Sequence, residues 1–333
     1  MVKPLIVLLT TPDAPIHEDA VNMLKKIGQV KYAWTKGWRV DEEVLANVKD
    51  ANAILVRIGR VNKDVMDQCP DLKIIAVHGV GVDRVDVEEA TRRGIIVTNV
   101  PGGNAEAVAE LTVCLIIMLL RKLHLILDRM KYGKWFEARK YIPGMEINNK
   151  VVGIIGLGNI GSRVARYLKT MNAKVIAYDP YVPNSVAKEL NIKLVDDLKE
   201  LLQEADIITI HVPLTKETYH MIDEEKLRIM KPTAIIVNTS RGAVIDSKAL
   251  LKALREGWIS GAALDVTDPE PLPEDHPLYK MPNVIITPHI GGITVEAWRR
   301  MSIVAAEEII RVLSGKPPLH PVNPKVLETS STR

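Results

Sequence analysis

A glycine-rich turn near the middle of the chain constrains the fold more than any other feature. Gly156, Gly158 and Gly161 follow the G-x-G-x-x-G spacing, between the apolar run 151–155 and the helical pattern 162–171. Between a strand and a helix, this spacing is typical of a dinucleotide-binding turn. The first glycine allows a tight turn, the second admits a pyrophosphate to the backbone, and the third lets the helix pack on the strand. The phosphates then lie at the positive end of the helix dipole.

An acidic residue at the end of the next predicted strand indicates which dinucleotide binds. Asp179 follows the strand 174–178 and lies 23 residues after Gly156. A carboxylate in this place accepts hydrogen bonds from the adenosine ribose and repels a 2′-phosphate. No lysine or arginine follows Asp179 before Lys188. We therefore predict NAD as the cofactor, in preference to NADP.

Composition argues against several classes of partner. The 44 basic residues nearly balance the 41 acidic residues, so the charge gives no reason to expect binding to nucleic acid or to a membrane surface. Cys69 and Cys114 lack the spacing of a metal or redox site, and we predict no bound metal. The longest apolar run, 113–120, is too short to cross a bilayer. The chain begins with a predicted strand rather than a signal peptide, and we expect a cytoplasmic protein with reduced cysteines.

Two series of alternating strand and helix patterns follow one another along the chain. The first series predicts strands at 5–9, 30–34, 53–58, 72–77 and 95–98, with helices between them, for instance at 18–27 and 86–93. The second series predicts strands at 151–155, 174–178, 207–211, 234–238, 261–264 and 284–286. Such alternation indicates parallel sheets that are covered by helices on both faces.

The predicted fold class is therefore α/β, with two doubly wound parallel-sheet domains and a cleft between them. A flavodoxin-like substrate (catalytic) domain is predicted from residues 1–100 and 290–333, and a Rossmann cofactor domain from residues 101–289. The last helical pattern, 295–313, has no place in the second series, so we expect it to return to the first domain. The pattern from Asn104 to about Lys131 predicts one long helix that is buried against another body. A cleft between two such domains suits a cofactor and a small substrate.

Three polar residues follow predicted strands of the second series. They are Arg241, Glu270 and His289, and the carboxyl ends of strands face the ligand crevice in a doubly wound sheet. Arginine binds a carboxylate through two parallel hydrogen bonds. Histidine exchanges a proton with a hydroxyl group while a hydride moves, and glutamate stabilises the imidazolium. Each residue alone has a structural alternative: a surface ion pair, a loop charge or a packing group at a hinge. Together they favour a site for hydride transfer.

Several segments together resemble the D-isomer-specific 2-hydroxyacid dehydrogenase family, over essentially the whole chain. The glycine turn 156–161 and the segments 211–214, 238–246, 262–266 and 287–292 carry this resemblance. It implies an NAD-dependent enzyme that transfers a hydride between the nicotinamide and C2 of a small 2-hydroxy or 2-oxo acid. It also implies a homodimer whose interface is built by the helix region 104–131.

The resemblance assigns roles to individual residues. Arg241 would bind the substrate carboxylate and carbonyl, His289 would be the acid–base catalyst, and Glu270 would be its partner. Asp265 would hold the nicotinamide carboxamide. The substrate carboxylate would also bind the backbone N–H groups of a loop formed by His78, Gly79, Val80 and Gly81. The further cofactor contacts that we predict are Asn159, Ile160, His211, Val212, Pro213, Thr239, Gly291 and Gly292.

The substrate is less constrained than the reaction. Glu270 favours a hydroxyacid enzyme over the related formate dehydrogenases, which place a glutamine beside the histidine. The stretch Val56-Arg57 and the segments 81–86 and 130–135 look most like 3-phosphoglycerate dehydrogenases, in which Arg57 would contact the substrate phosphate. The basic segment 131–141 could add positive charge there, or it could be a solvated loop at the dimer edge.

Alternatives to that substrate remain open. His78 stands where some 3-phosphoglycerate dehydrogenases carry an arginine, and no regulatory extension follows Pro324, so serine feedback through such a domain is not expected. Glyoxylate and hydroxypyruvate reductases share nearly every motif. NAD-sensing transcriptional corepressors, a class of binding proteins, keep the same three polar residues. We predict D-3-phosphoglycerate and phosphohydroxypyruvate as the substrate pair, with a role in serine biosynthesis, and keep both alternatives.

Overall fold

The computed structural model describes residues 3–141 and 143–330, which fold into two compact units. The first unit comprises Met1–Asn104 and Ile293–Arg333, and the second unit comprises Ala105–Gly292. The chain passes between the units four residues after the predicted boundary at 100 and three residues after the predicted boundary at 289.

The strands and helices alternate through most of the chain. The strands are β1 (Leu5–Thr10), β2 (Gln29–Trp34), β3 (Ala53–Val56), β4 (Ile74–Val77), β5 (Ile96–Thr98), β6 (Val151–Ile155), β7 (Lys174–Tyr178), β8 (Lys193–Leu194), β9 (Ile207–Ile210), β10 (Ile235–Asn238), β11 (Gly261–Leu264) and β12 (Val284–Ile286). The helices are α1 (Glu18–Lys25), α2 (Glu42–Val48), α3 (Lys63–Asp67), α4 (Val87–Arg92), α5 (Ala105–Leu120), α6 (Leu123–Met130), α7 (Trp135–Ala138), α8 (Asn159–Thr170), α9 (Asn184–Leu190), α10 (Leu198–Glu204), α11 (Glu224–Arg228), α12 (Ser247–Glu256), α13 (Val295–Leu313) and α14 (Lys325–Ser330).

The first unit contains a parallel sheet with the strand order β2-β1-β3-β4-β5. This is the order of flavodoxin-like folds. The strands β3 and β4 are apolar and buried along their whole length, as expected for strands that helices cover on both faces. Helix α13 packs against β3, β4 and α1. The C-terminal part of the chain therefore supplies one of the layers that cover this sheet.

The second unit contains a parallel sheet with the order β12-β11-β10-β9-β6-β7-β8. Numbered within the unit, this is the 3-2-1-4-5-6 order of the Rossmann fold with one strand added. The two parallel sheets confirm the predicted fold class. Strand β8 was not predicted, because it has two residues and a strand that short gives no alternating pattern. The strand order reverses between β6 and β9, and ligands bind at the carboxyl ends of strands beside such a reversal.

Neighbouring residues of the central strands enter two different apolar cores. Ile207 packs with Leu115 of α5 and Val164 of α8. Ile208 packs with Leu201 of α10 and Leu250 of α12. Because side chains alternate across a strand, these cores lie on opposite faces of the sheet. The central strands are thus enclosed on both sides, which fixes the positions of the loops at their ends.

The predicted single helix over 104–131 is wrong, because the chain forms two helices there. Helix α5 ends at Leu120, Lys122 adopts a left-handed backbone conformation with φ 51°, and α6 begins at Leu123. The carbonyl of Leu120 accepts a hydrogen bond from the backbone N–H of Met145 at 2.8 Å. A continuous helix would direct this carbonyl to the N–H four residues later. The segment that contains Met145 therefore uses an acceptor that a continuous helix would need.

No helix in the described part of the chain has the length and apolar character that a membrane span requires.

Candidate active site

The glycine turn lies at the carboxyl end of β6, and each glycine meets a distinct requirement. Gly156 has φ +91°, a conformation that side chains rarely adopt, and a Cβ there would lie 2.8 Å from the carbonyl oxygen of His211. A Cβ on Gly161 would overlap the carbonyl oxygen of Gly156. Gly158 is the N-cap residue directly before α8 and has open space where a Cβ would be. The turn therefore packs closely at two glycines and leaves room for a ligand at the third, above the first N–H groups of α8.

Asp179 lies beside this turn. Its Oδ2 accepts a hydrogen bond from the N–H of Leu157 at 2.8 Å. Its Oδ1 accepts hydrogen bonds from the N–H groups of Tyr181 at 2.9 Å and Val182 at 3.2 Å. The carboxylate thus joins the glycine turn to the turn that follows β7. Because each carboxylate oxygen has two lone pairs, Oδ2 of Asp179 can still accept one hydrogen bond from a ribose hydroxyl.

His211 follows β9 at the reversal of strand order. Burial lowers the pKa of His211 to about 3, so the ring is neutral. Its Nε2 lies 2.9 Å from Oγ1 of Thr209. Its Nδ1 is buried and has no hydrogen-bond partner among the residues that the structure describes. A buried polar atom of this kind needs a partner, and a bound ligand at the turn would provide one.

The other predicted cofactor contacts divide into loop residues and packed residues. Val212 is half-buried, and the exposed Pro213 accepts a hydrogen bond from Oγ1 of Thr218 at 2.6 Å. The hydroxyl of Thr239 lies in the protein interior, 2.9 Å from the hydroxyl of Thr112. Thr239 therefore joins β10 to α5, in addition to any contact with the cofactor. Asn159 and Ile160 form the first turn of α8.

His289 and Glu270 form a pair. Nδ1 of His289 lies 2.8 Å from Oε1 of Glu270, and their side chains are 45% and 29% exposed. An ionised Glu270 accepts the Nδ1–H hydrogen bond, which leaves Nε2 on the side of the ring away from Glu270. His289 adopts a left-handed backbone conformation with φ 54°. A non-glycine residue holds such a conformation only where the surrounding structure enforces it.

Asp265 provides that constraint. Its side chain is 2% exposed. Its Oδ1 accepts hydrogen bonds from the hydroxyl of Thr287 at 2.6 Å and from the N–H of Ile290 at 2.9 Å. Its Oδ2 accepts one from the N–H of Gly291 at 2.8 Å. The backbone N–H of His289 also donates to the carbonyl of Asp265 at 2.9 Å. The whole segment 287–291 is therefore held by Asp265. The contact of Asp265 with the nicotinamide carboxamide stays a prediction. Gly292 ends the second unit immediately after this segment.

The loop that carries Arg241 is shaped by Asn238, the last residue of β10. Oδ1 of Asn238 accepts hydrogen bonds from the N–H and the hydroxyl of Ser240, at 3.0 Å and 2.8 Å. Its Nδ2 donates to the carbonyl of Arg241 at 2.8 Å. A Cβ on Gly242 would overlap the carbonyl group of Thr267. Gly242 thus lets the Arg241 loop press against the loop that leads to Glu270.

Sequence reasoning did not single out three of these supporting residues. Asn238, Gly242 and Thr287 contact the loops of the candidate site, although we expect no direct part for them in the chemistry. Each directly adjoins, or lies two to three residues from, a predicted catalytic residue. An asparagine that ends an apolar strand and a glycine next to an arginine were the available signals. The contacts themselves depend on neighbouring strands, which a single sequence does not show.

The predicted substrate residues of the first unit lie near one another. Burial and the neighbouring Arg57 lower the pKa of His78 to about 4. Nε2 of His78 lies 2.9 Å from Oγ of Ser302 and 3.3 Å from the carbonyl oxygen of Trp298. Arg57 donates to the carbonyl of Pro15 and lies over the ring of Trp298. The His78 ring therefore contacts α13 and is buried, whereas Val80, two residues later in the same loop, is exposed.

The structure thus groups the predicted residues by unit. In the second unit the loop of Arg241 packs against the loop that leads to Glu270, Glu270 pairs with His289, and Asp265 holds the segment that carries His289. The first unit holds Arg57 and the loop 78–81. Among the described residues, no group of three His, Cys, Asp or Glu side chains is arranged to hold a metal ion.

A Rossmann sheet with a glycine turn at its reversal point defines the class of dinucleotide-binding proteins. The family follows from comparison with known proteins. The family model described as "D-isomer specific 2-hydroxyacid dehydrogenase, NAD binding domain" matches residues 113–291. The chain belongs to the D-isomer-specific 2-hydroxyacid dehydrogenase family, which confirms the resemblance and NAD as the type of cofactor.

Individual relatives carry two different names. The chain is 46% identical over 305 residues to a D-3-phosphoglycerate dehydrogenase of Methanocaldococcus jannaschii, and the aligned part is 91% of this chain and 57% of that protein. It is 44% identical over 317 residues to a glyoxylate reductase of Thermofilum pendens, and the aligned part is 94% of each protein. The crystal structure of the TT0316 protein from Thermus thermophilus aligns with a TM-score of 0.85 and 37% identity, over 95% of this chain and 99% of that one. The chain thus spans little more than half of the named phosphoglycerate dehydrogenase.

Proposed function

We propose that this protein transfers a hydride between NAD and C2 of a small 2-hydroxy or 2-oxo acid. The observation that carries the proposal is the 2.8 Å pair of His289 and Glu270, in which His289 lies on a segment that Asp265 holds through hydrogen bonds. A histidine held in this way has one ring nitrogen fixed by a carboxylate and the other directed away from it. This arrangement suits a group that donates a proton and takes it back.

The residues present fit NAD. The glycine turn and the first turn of α8 would hold the pyrophosphate, and Oδ2 of Asp179 would accept a hydrogen bond from a ribose hydroxyl. The unpartnered Nδ1 of His211 marks a polar position that a bound dinucleotide would satisfy. When bound, the reduced cofactor supplies the hydride. We propose that NADPH is used poorly, because its 2′-phosphate would meet the carboxylate of Asp179.

Arg241, His289 and Glu270 would divide the remaining chemistry. Arg241 would bind the substrate carboxylate and polarise the C2 carbonyl. As the hydride reaches C2, Nε2 of His289 would donate its proton to the C2 oxygen, which becomes a hydroxyl. Glu270 would stabilise the imidazolium before that transfer. In the reverse direction, His289 would take the hydroxyl proton.

Within this reaction class we propose D-3-phosphoglycerate and phosphohydroxypyruvate as the substrate pair, and with it a role in serine biosynthesis. Arg57 supports this choice, since it is a half-buried guanidinium in the same unit as the predicted carboxylate loop. The second candidate is reduction of glyoxylate or hydroxypyruvate, which the full-length match to a glyoxylate reductase favours.

A turnover screen tests both levels of the proposal. NADH oxidation should be measured with phosphohydroxypyruvate, hydroxypyruvate, glyoxylate and pyruvate, and repeated with NADPH. We expect turnover with NADH on at least one of the acids. Binding of NADH without turnover on any of them would contradict the enzyme proposal and favour a binding protein that senses the cofactor.

The Arg57→Ala variant separates the two substrates. If Arg57 binds a phosphate, KM for phosphohydroxypyruvate should rise about tenfold or more, because a charge-assisted contact is lost. KM for glyoxylate should stay within about twofold. Arg60→Ala, an exposed arginine three residues later, is the matched control. Equal losses on both acids, or none, would reject the phosphate role and leave glyoxylate or hydroxypyruvate as the proposed substrate.

We also propose a homodimer through the region of α5 and α6. No residue of α6 is buried, and α6 together with the segment that follows it exposes several large apolar side chains. They are Leu127, Met130, Tyr132, Trp135 and Phe136. Apolar side chains exposed in such a cluster are typical of a surface that another protein covers.

A further inference from the structure

The loop Gly79–Gly81 is held by the segment that follows the neighbouring strand. The carbonyl of Gly79 accepts a hydrogen bond from the backbone N–H of Val100 at 2.8 Å. The carbonyl of Val80 accepts one from the side-chain Nδ2 of Asn99 at 2.7 Å. Residues 99 and 100 follow β5, which pairs with β4, and β4 leads into the loop. The carbonyls of Gly79 and Val80 therefore both bond to the same segment.

These two contacts determine where the N–H groups of the loop point. The carbonyl of Gly79 and the N–H of Val80 belong to one peptide group, and the carbonyl of Val80 and the N–H of Gly81 belong to the next. In a trans peptide the C=O and N–H bonds point in opposite directions. Drawing both carbonyls to residues 99 and 100 therefore turns both N–H groups away from them. Within residues 3–141 and 143–330, neither N–H has a hydrogen-bond partner, and two such adjacent donors form a site for an anion.

Asn99 is itself fixed from the far side. Its backbone N–H points to the carbonyl of His320 at 3.4 Å. Glu308, which is 1% exposed, accepts hydrogen bonds from the N–H groups of Leu319 and His320 and from Nδ1 of His320. The buried carboxylate of Glu308 thus anchors the segment on which Asn99 rests. The backbone from which the Asn99 side chain reaches Val80 is therefore tied to the C-terminal segment.

We propose that Asn99 is a positioning residue for the substrate carboxylate. Its amide holds the carbonyl of Val80 and so presents the N–H of Gly81, beside that of Val80, to the carboxylate. This inference rests on the proposed function of the loop. Asn99 touches no reacting atom, so its loss acts on substrate binding and leaves the chemical step largely intact.

The test compares Asn99→Asp and Asn99→Leu with wild-type protein. Both variants lose the donor to Val80, and only the first adds a charge. We expect KM for the preferred 2-oxo acid to rise about tenfold in both variants, because one hydrogen bond and the donor it orients are lost. We expect kcat to change less than about threefold and the Kd of NADH to stay unchanged. Asn283→Asp is the matched control, since its Nδ2 donates to the carbonyl of Ser260 in the other unit.

A binding measurement keeps this inference separate from the proposed reaction. Titration calorimetry with oxamate, in the presence of NADH, should give about tenfold weaker binding in both variants. That result supports the role of Asn99 even if no acid is turned over, an outcome that would remove only the proposed reaction. Unchanged KM and unchanged oxamate binding would overturn the inference. A loss confined to kcat, or to the variant with the added charge, would overturn it as well.

Discussion

At the scale of single residues, the candidate site depends on polar groups that the protein itself holds in place. His289 keeps a left-handed backbone conformation because Asp265 and Thr287 hold its segment on both sides. Glu270 fixes one nitrogen of its ring. A group that must move a proton to a substrate atom benefits from such preorganisation, since misplacement by about 1 Å can cost two orders of magnitude in rate.

Removing one hydroxyl tests this support. In Thr287→Val, Asp265 loses the 2.6 Å hydrogen bond from the threonine hydroxyl. We expect kcat for 2-oxo acid reduction to fall about tenfold, which corresponds to about 1.4 kcal/mol in the barrier. The Kd of NADH should change less than kcat does, because the glycine turn and Asp179 are not altered and only the predicted nicotinamide contact of Asp265 is affected. Steady-state kinetics and fluorescence titration with NADH measure these quantities.

Ser260→Ala serves as the control for Thr287→Val. Its hydroxyl donates to the carbonyl of Thr233 at an exposed edge, and its loss should leave kcat unchanged. If Thr287→Val also left kcat unchanged, Asp265 would not hold the His289 segment through this contact.

At the scale of secondary-structure elements, local requirements could be predicted and tertiary ones could not. The glycine turn could be predicted because the requirements that Gly156, Gly158 and Gly161 meet are set by the adjacent backbone. The positions of Arg241 and His289 after strands could be predicted because the apolar runs of those strands are distinct. The break at Lys122 could not be predicted, because the carbonyl of Leu120 accepts a hydrogen bond from a segment more than twenty residues later.

The same limit applies to buried polar side chains. His78 belongs to a loop that resembles a substrate loop, but its ring contacts Ser302, more than 200 residues later in the chain. The contact of Asn99 with Val80 likewise depends on the pairing of β4 with β5. Sequence patterns locate such residues beside a site, and only the packed structure shows which atoms they use.

The elements α6 and α7 carry a prediction of their own. Phe136 is 81% exposed. If this segment covers a second copy of the chain, Phe136→Ser should weaken the dimer about tenfold or more, because a large buried aromatic surface is lost. Sedimentation velocity over a range of protein concentrations measures the shift toward monomer.

Tyr279→Ser is the matched control for the dimer test, since this aromatic residue is exposed elsewhere in the same unit. It should leave the monomer–dimer equilibrium unchanged. An equal effect of both substitutions, or no dimer in the wild-type protein, would contradict the proposed interface.

At the scale of the whole molecule, each unit contains a buried neutral histidine. The pKa of His78 in the first unit is lowered to about 4 and that of His211 in the second unit to about 3. An unfolded chain protonates histidine near its ordinary pKa of 6.5, whereas these rings stay neutral to lower pH. Unfolding therefore takes up protons, and stability should fall as the pH drops from about 6.5 toward 4. Well above pH 6.5 both rings are neutral in the folded and the unfolded chain, and their contribution to the free energy of unfolding no longer changes with pH.

The His78→Asn variant measures how much of the stability loss at acid pH is caused by the histidine of the first unit. Between pH 7 and pH 4.5, the wild-type free energy of unfolding should fall by about 2–3 kcal/mol more than that of the variant. Urea denaturation at both pH values gives the comparison. His276→Asn is the control, because histidine and asparagine can both accept the helix-capping hydrogen bond there. The same loss in wild type and His78→Asn would show that His78 does not cause acid sensitivity.

The return of the chain to the first unit also governs the order in which the molecule is completed during synthesis. The second unit is one continuous stretch, whereas the first unit lacks α13 and the segment along β5 until the ribosome has made the entire second unit. Domains fold as units as they emerge. The nascent chain therefore carries a completed nucleotide-binding unit while the apolar surface of β3 and β4 that α13 will cover is still exposed. In the cell, this interval is when the first unit most depends on protection from aggregation.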